Sequence, residues 1–399
     1  MRHALKVGLC ASLLSFACGR SPQPPALPAV ARQGGADAAV QVAVAPKPVA
    51  PVARPKIEVV FALDTTGSMG SLIEGAKQKI WAIADELASA QPTPELRIGL
   101  VAYRDRGDTY VTQQFALSDD LDAVYAQLMS FQADGGGDGP ESVNQALYEA
   151  VHQTAWSAEP NVYRAVFLVG DAPPHMDYAQ DIPYQASVTE AAERGIVLNT
   201  VQCGEMEGTK SIWLAIAHGA QGTYASIAQS GGMQQIAAPM DAEIDRVNAA
   251  LSGTVVPYGA REKQDVVRQK ARLAEAAPAA ASASRHAFLE KKGGAIVTGG
   301  GDLLDDVREG KVKLESVRTE ELPSELRGLT PQQRKEALAT RAQERDKLKS
   351  RLDTLVKERA AYVRAEQAKQ RAAGVRDGFD GEVMKTVKSQ AAARTKLTY

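Results

Sequence analysis

Cysteine is scarce: Cys10, Cys18 and Cys203 are the only three in 399 residues. Two of them fall within the first eighteen positions, so the rest of the chain holds a lone thiol and has no internal disulfide available to it. A lone cysteine of this kind reads as a small buried hydrophobe. Long hydrophobic runs are missing as well. The stretch from Val7 to Ala17 falls short of the ~20 residues that a membrane-spanning helix needs. Neither sign of charge is in excess, and a net charge of −2 gives no general signal for nucleic acid or an anionic membrane surface. What is present is ordinary for a soluble globular protein: 44% hydrophobic and 24% charged residues. The length suffices for one large domain and a second region.

Residues 1–18 read as an export signal, with Arg2, His3 and Lys6 ahead of the short apolar run. Ser15-Phe16-Ala17-Cys18 resembles a bacterial lipoprotein cleavage box, which implies lipidation at Cys18 and a membrane anchor. Leu14 stands one place earlier than that pattern has its large aliphatic residue. Ser15-x-Ala17 also suits ordinary signal peptidase, so a secreted or periplasmic soluble protein is the alternative. Gly19 follows the cysteine where an inner-membrane retention signal would have Asp. By resemblance this points to an outer-membrane lipoprotein of the cell envelope, facing the periplasm or the cell surface. Residues 19–55, rich in Pro and Ala and without helical or strand period, read as a disordered tether.

From 56 to 251 the pattern alternates strand and helix. Strands are predicted at 57–63, 96–103, 110–115, 165–170 and 196–202, with a weak last one at 223–227. Helices are predicted at 71–89, 119–130, 140–153, 184–194, 210–217 and 234–250. Such alternation implies an α/β fold with a doubly wound, mostly parallel sheet covered by helices on both faces. Trp81, Trp156 and Trp213 all lie here, so the large aromatic core is expected here alone.

Residues 257–399 differ: tryptophan is missing and the helices are long and charged. Thr330-Pro331-Gln332-Gln333 is a capping sequence with proline at the first helical position, and Gly374 is a natural stop. Between them Leu338, Leu348, Leu352, Leu355 and Tyr362 form a narrow stripe near coiled-coil spacing, interrupted by Arg345 and Arg359. Twelve Lys/Arg against six Asp/Glu from 334 to 371 read as a solvated basic face. The acidic stretch 302–325 is a candidate to dock on that helix. Gly299-Gly300-Gly301 lacks the Lys-Ser/Thr of a phosphate loop and reads as a turn before a short helix.

The chemistry sits in the first loop. A buried strand from Ile57 to Leu63 runs into Asp64-Thr65-Thr66-Gly67-Ser68-Met69-Gly70 and then a long helix. Asp64, Thr66 and Ser68 therefore leave the carboxyl end of a parallel strand, where open α/β sheets hold ligands. One carboxylate with two hydroxyls suits a hard cation that prefers oxygen and keeps open positions. Asp64-x-Thr66-x-Ser68 resembles the metal-ion-dependent adhesion site (MIDAS) of von Willebrand factor type A domains, a Rossmann-like fold. That resemblance implies a bound Mg²⁺, with Mn²⁺ or Ca²⁺ as alternatives, and two further site loops.

The second is similar to Asp134-Gly135-Gly136-Gly137-Asp138-Gly139-Pro140-Glu141-Ser142. It departs from the commoner pattern, which has Thr after the glycines. Counting back from Ala146-Leu147, Glu141 takes that place and Asp138 lies three residues earlier. Either is a candidate to approach the ion, and the Gly-Gly-Gly-Asp-Gly-Pro-Glu form is similar to hemicentin-like and α-kinase-associated members. The third loop is Gly170-Asp171-Ala172-Pro173-Pro174-His175, in which Asp171 is expected to hold the ion through water. His175 is a candidate second donor, and Arg104-Asp105 a candidate for ordering the rim. Arg106-Gly107-Asp108, a tripeptide some integrins bind, reads as coincidence. The resemblance implies a non-enzymatic interaction module whose protein partner offers a carboxylate to the metal, with no role for nucleic acid. Two other readings are a scaffold self-associating through the helical tail over a degenerate site, and a metal-assisted hydrolase. The hydrolase reading has only Glu141, Asp138 or His175 as a base.

Overall fold

Residues 54–137, 139–233, 235–374 and 378–399 are described by the computed structural model. The export signal, Cys18 and all but the last two residues of the tether lie outside the described residues, as does Asp138.

All six predicted strands form: β1 (Lys56–Asp64), β2 (Glu95–Tyr103), β3 (Thr112–Ser118), β4 (Val162–Gly170), β5 (Ile196–Cys203) and β6 (Tyr224–Ile227). They make one sheet in the order β3-β2-β1-β4-β5-β6, parallel except for the edge strand β3. A central strand with a neighbour on each side must be apolar on both faces, which is why β1 carries a near-continuous hydrophobic run. Successive side chains alternate between faces. Ile57, Val59, Phe61 and Leu63 enter one core with α1 (Gly70–Leu87) and α2 (Leu121–Ser130). Val60 and Ala62 enter the other with α3 (Val143–Tyr148), α4 (Tyr184–Glu193) and α5 (Thr209–Gly219). Glu58 breaks the run yet is fully buried. It is satisfied there by Arg97 at 2.7 Å and by the Ser157 backbone N–H at 2.9 Å.

Two predicted helices start late, for local reasons. The helix expected from Pro140 begins at Val143, because Glu141 is held as a bridge to the third loop: its N–H donates to Pro173 O at 2.9 Å and its carbonyl accepts from His175 N–H at 3.0 Å. The helix expected from Gln234 is α6 (Asp241–Ser252). Pro239 disfavours helical backbone before it, and the Asp241 carboxylate caps the turn by accepting the Ala238 N–H at 2.9 Å.

The last third is helical, with α7 (Arg261–Ala276), α8 (Ala279–Lys291), α9 (Leu303–Arg308), α10 (Ser324–Arg327), α11 (Pro331–Ala372) and α12 (Phe379–Arg394). The aromatic core is not confined to residues 56–251, however. Phe288 of α8 packs on Trp81 with ring centroids 5.8 Å apart, and Phe379 of α12 on Phe61 at 6.1 Å. Phe379, Val383, Val387 and Ala391 recur every fourth residue and enter the same core as α1. Leu397 follows them in, and Thr398 pairs with Gln91.

The long helix α11 opens on the expected capping box, Thr330 with Gln333, and stops before Gly374, whose φ of +82° ends it. Four of the five stripe residues are covered by the chain itself, whereas Tyr362 is exposed. Leu348, Leu352 and Leu355 pack with Ile244 and Leu251 of α6 and Ala283 of α8, and Leu338 with Leu304 and Leu314. The two arginines do not interrupt this seam. Arg345 is fully buried, with Nη1 2.8 Å from both Asp302 and Asp305, and Arg359 holds Asp241 at 2.7 Å. The acidic stretch thus docks on the basic helix, Lys335–Glu315 at 2.8 Å adding to it.

A second buried pair joins α2 to α8: Arg285 donates to both Asp122 oxygens, at 2.7 and 2.9 Å, and the Thr298 N–H adds a third bond at 2.9 Å. Burial alone would raise the Asp122 pKa, but the Arg285 guanidinium and these bonds outweigh it and hold the carboxyl below its ordinary value. The folded state therefore favours the charged form. The stabilisation is complete above the ordinary carboxylate range and is lost as pH falls through the folded value. Asp122→Asn is expected to cost about 2–3 kcal/mol at pH 7 and to flatten the acid limb of stability. Urea unfolding at pH 7 and at pH 3 measures both. An unchanged acid limb would assign the pH dependence elsewhere.

Candidate metal centre

The three predicted loops meet at the carboxyl edge of the sheet, where the strand order reverses between β1 and β4. Leu63 is in register with Val169, which sets Asp64 beside Gly170. The glycine is required there: a Cβ would stand 3.0 Å from Asp64 Oδ2 and collide with the Tyr103 hydroxyl. Asp64 is fully buried. Its Oδ1 accepts from the Thr66 N–H at 2.9 Å and the Thr66 hydroxyl at 2.6 Å, an Asp-to-i+2 turn. Thr66 Oγ1 in turn lies 3.3 Å from Ser68 Oγ, and Ser68 is exposed. The side-chain oxygens of Asp64, Thr66 and Ser68 thus form a chain through Thr66, with Ser68 at the mouth.

The second loop closes over the first. Gly135 and Gly136 adopt φ of +77° and +79°, a region open to glycine. The Gly135 carbonyl accepts from Gly67 N–H at 3.2 Å. Beside Gly136, Thr66 and Glu141 come together: a Cβ on that glycine would sit 3.1 Å from Thr66 Cβ and 3.4 Å from Glu141 Oε1. Glu141 is 4% exposed.

In the third loop Asp171 is held by a residue that sequence reasoning did not single out. Gln229 Nε2 donates to Asp171 Oδ2 at 2.6 Å and lies 3.5 Å from the Ser68 carbonyl, tying the third loop to the first. No motif surrounds Gln229. The available signal was its place just past the carboxyl end of β6, the position Asp64 and Asp171 hold on their own strands.

Arg104 orders the rim as expected, donating to the carbonyls of Thr65 at 3.1 Å and Gln132 at 2.7 Å. Asp105 accepts from the hydroxyls of Ser142 at 3.0 Å and Tyr178 at 2.8 Å. Asp108 is turned onto the second loop, accepting from Gly136 N–H at 3.1 Å. The Arg106-Gly107-Asp108 tripeptide is thus part of the site wall. His175 stacks on Tyr178 at 4.1 Å and its Nδ1 lies 2.8 Å from Asp177. Cys203 is buried, and burial pushes its thiol pKa up.

The electrostatics are those of a site short of positive charge. Burial pushes Asp64 up to about 7, with Asp171 adding to the rise and the Thr66 hydrogen bonds opposing it. Burial and the charges of Asp64, Asp105 and Asp171 push Glu141 up to about 9. Asp64 Oδ2 and Glu141 Oε2 are buried without a hydrogen-bond partner. Orphaned buried carboxylate oxygens are costly unless something positive meets them. Among the described residues, oxygens of Asp64, Glu141 and Asp171 do not all lie within 4.8 Å of one another, so the three carboxylates are not drawn together as a closed ligand cluster. This donor set of carboxylates and hydroxyls fits a hard divalent cation.

Residues 58–239 match the family profile of the von Willebrand factor A domain. This segment is a von Willebrand factor A domain. A relative is the alpha-protein kinase vwkA of Dictyostelium discoideum, 29% identical over 123 residues, which make up 30% of this chain and 19% of that protein. The chain thus spans about a fifth of that relative's length. Among solved structures, proximal thread matrix protein 1 from the mussel byssus aligns at 15% identity and a TM-score of 0.34, over 44% of this chain and 42% of that one. A second structure of that protein, with a zinc-occupied MIDAS motif, aligns at 16% identity and 0.35, over the same shares. The SpRpn10 VWA domain aligns at 12% identity and 0.34, over 44% of this chain and 89% of that one.

Proposed function

We propose that the von Willebrand factor A domain binds a protein partner through a divalent cation held at the carboxyl edge of its sheet. The observation that carries this reading is the pair of orphaned buried oxygens, Asp64 Oδ2 and Glu141 Oε2, beside two converging hydroxyls. Asp64, Thr66 and Ser68 would hold the ion, with Asp171 and either Glu141 or Asp138 completing the set. The ion would be Mg²⁺, with Mn²⁺ or Ca²⁺ as alternatives, and supplies an electrophilic position for a carboxylate oxygen of the partner. The chain's own residues prepare that position. Asp64 fixes the Thr66 hydroxyl, Gln229 fixes Asp171, and the two hydroxyls add no charge of their own, while the second carboxylate lowers the ion's pull on an acidic partner. The action is coordination without bond-making, so the protein is not an enzyme in this reading.

Asp64→Ala is expected to abolish Mg²⁺ binding in a calorimetric titration while the circular dichroism spectrum is retained. Heat identical to wild type would reject the assignment. Glu141→Gln is expected to weaken the same titration about tenfold or more. Capture of an envelope protein in Mg²⁺ but not in chelator would identify the partner.

The N-terminal sequence extends the proposal to location: export through residues 1–18, lipidation of Cys18 and a tether holding the domain off an outer membrane. Cys18→Ala is expected to move the protein from the membrane fraction to the soluble one. An unaltered distribution would favour the soluble exported form.

A further inference from the structure

A different group of ligands lies away from the sheet edge, between two helices of the C-terminal region, α8 and α11. His286 and Glu290 are one helical turn apart on α8, and Asp353 faces them from α11. One ligand atom from each lies within 4.8 Å of the others. His286 Nε2 is 2.6 Å from Asp353 Oδ1. Lys349, one turn before Asp353, places its Nζ 2.7 Å from Glu290 and also donates to the Gly294 carbonyl. Each helix thus gives two groups at i, i+4 spacing, three of them metal ligands and the fourth a cation.

We propose that His286, Glu290 and Asp353 form a second divalent-metal site, for zinc, clamping α11 onto α8. Imidazole with two carboxylates is a zinc-type set, unlike the all-oxygen set at Asp64, and Mg²⁺ does not compete well for it. Three protein ligands leave one position of a tetrahedral ion for water. Zinc takes the place of the Nε2 proton that faces Asp353, and that proton moves to Nδ1, so the ring stays neutral. Lys349, which supplies the counter-charge in the metal-free site, leaves Glu290 and turns to water. Both helices are fixed on either side: α8 through Phe288 in the sheet core, α11 through Leu352 and Leu355. Little ordering remains for the ion to impose.

The test is a zinc titration of the full chain by calorimetry in millimolar Mg²⁺, with melting temperature read in parallel. One zinc per chain is expected, raising the melting temperature. Glu290→Gln, a surface change that keeps the fold, is expected to weaken zinc about tenfold or more. His286→Ala is expected to abolish binding, and Asp64→Ala to leave it unaltered. Lys349→Met removes the competing cation and keeps the aliphatic stem, and is expected to tighten zinc severalfold. A purely structural ion-pair cluster would be weakened by that change and gain nothing in zinc affinity. The proposal is overturned if no saturable zinc binding occurs, if Glu290→Gln and Lys349→Met leave the affinity unaltered, or if Asp64→Ala abolishes it.

Discussion

A chain ending at Leu251 is expected not to fold, although it contains the whole segment that matches the family. It keeps all six strands but loses Phe288 of α8 and Phe379, Val383, Val387 and Leu397 from the end of the chain, all in the core that covers β1. Burying one large apolar side chain contributes about 1.5–3 kcal/mol, so five contribute about 8–15 kcal/mol. A whole domain is stable by only about 5–15 kcal/mol. Exposing the α1 face of a parallel sheet also invites association through the bared surface. The expected result is a protein recovered in aggregates, without near-ultraviolet dichroism or a cooperative transition. A soluble fragment that melts cooperatively within a few degrees of the full chain would show the C-terminal helices to be an accessory. Removing only residues 379–399 is expected to have the same direction of effect with smaller size.

The second large effect is expected at Arg345. Its guanidinium is fully buried against Asp302, Asp305 and the Thr254 carbonyl, which it meets at 2.6 Å. Arg345→Ala leaves two carboxylates buried in that seam with no cation between them. Removing one partner of a buried pair costs about 3–5 kcal/mol, or roughly 4–7 °C in melting temperature for a chain of this size. Arg345→Lys is expected to recover little, since an ammonium cannot reproduce the planar fork that reaches three groups at once. Adding Asp302→Asn and Asp305→Asn to Arg345→Met is expected to restore much of the loss, because the carboxylates then no longer need an opposite charge. A single alanine variant melting within about 2 °C of wild type would mean that water reaches the aspartates.

The sheet was legible because each strand carries its own signal. Ile57 to Leu63 reads as a central strand from its apolar run, and the turn residues around it fix where it stops. Asp64, Thr66 and Ser68 were legible for the same reason, since alternation along five residues is local geometry. What escaped depends on partners distant in sequence. The fourfold spacing of Phe379, Val383, Val387 and Ala391 declares a buried face, yet nothing in it names the sheet as the surface that buries it. Arg345 looked like an interruption of an apolar stripe because its partners lie about forty residues earlier. Once those are placed, the same residue becomes part of the seam. Gln229 escaped because an amide carries no motif, and its importance comes only from the carboxylate it meets. Glu141 was found by counting, but its bridge to Pro173 and His175, which delays the start of α3, is a contact between loops.

The pairing of Thr398 with Gln91 and the entry of α12 beside α1 bear on the order in which this molecule is made. The first helix of the sheet emerges some three hundred residues before the one that shields it. During synthesis its apolar side waits unprotected until residues 379–397 arrive. Contacts at such sequence separation form late and slowly. The apolar side of α1 is therefore the last part of this core to be covered as the chain is made, and a chain stopped short of α12 lacks its cover.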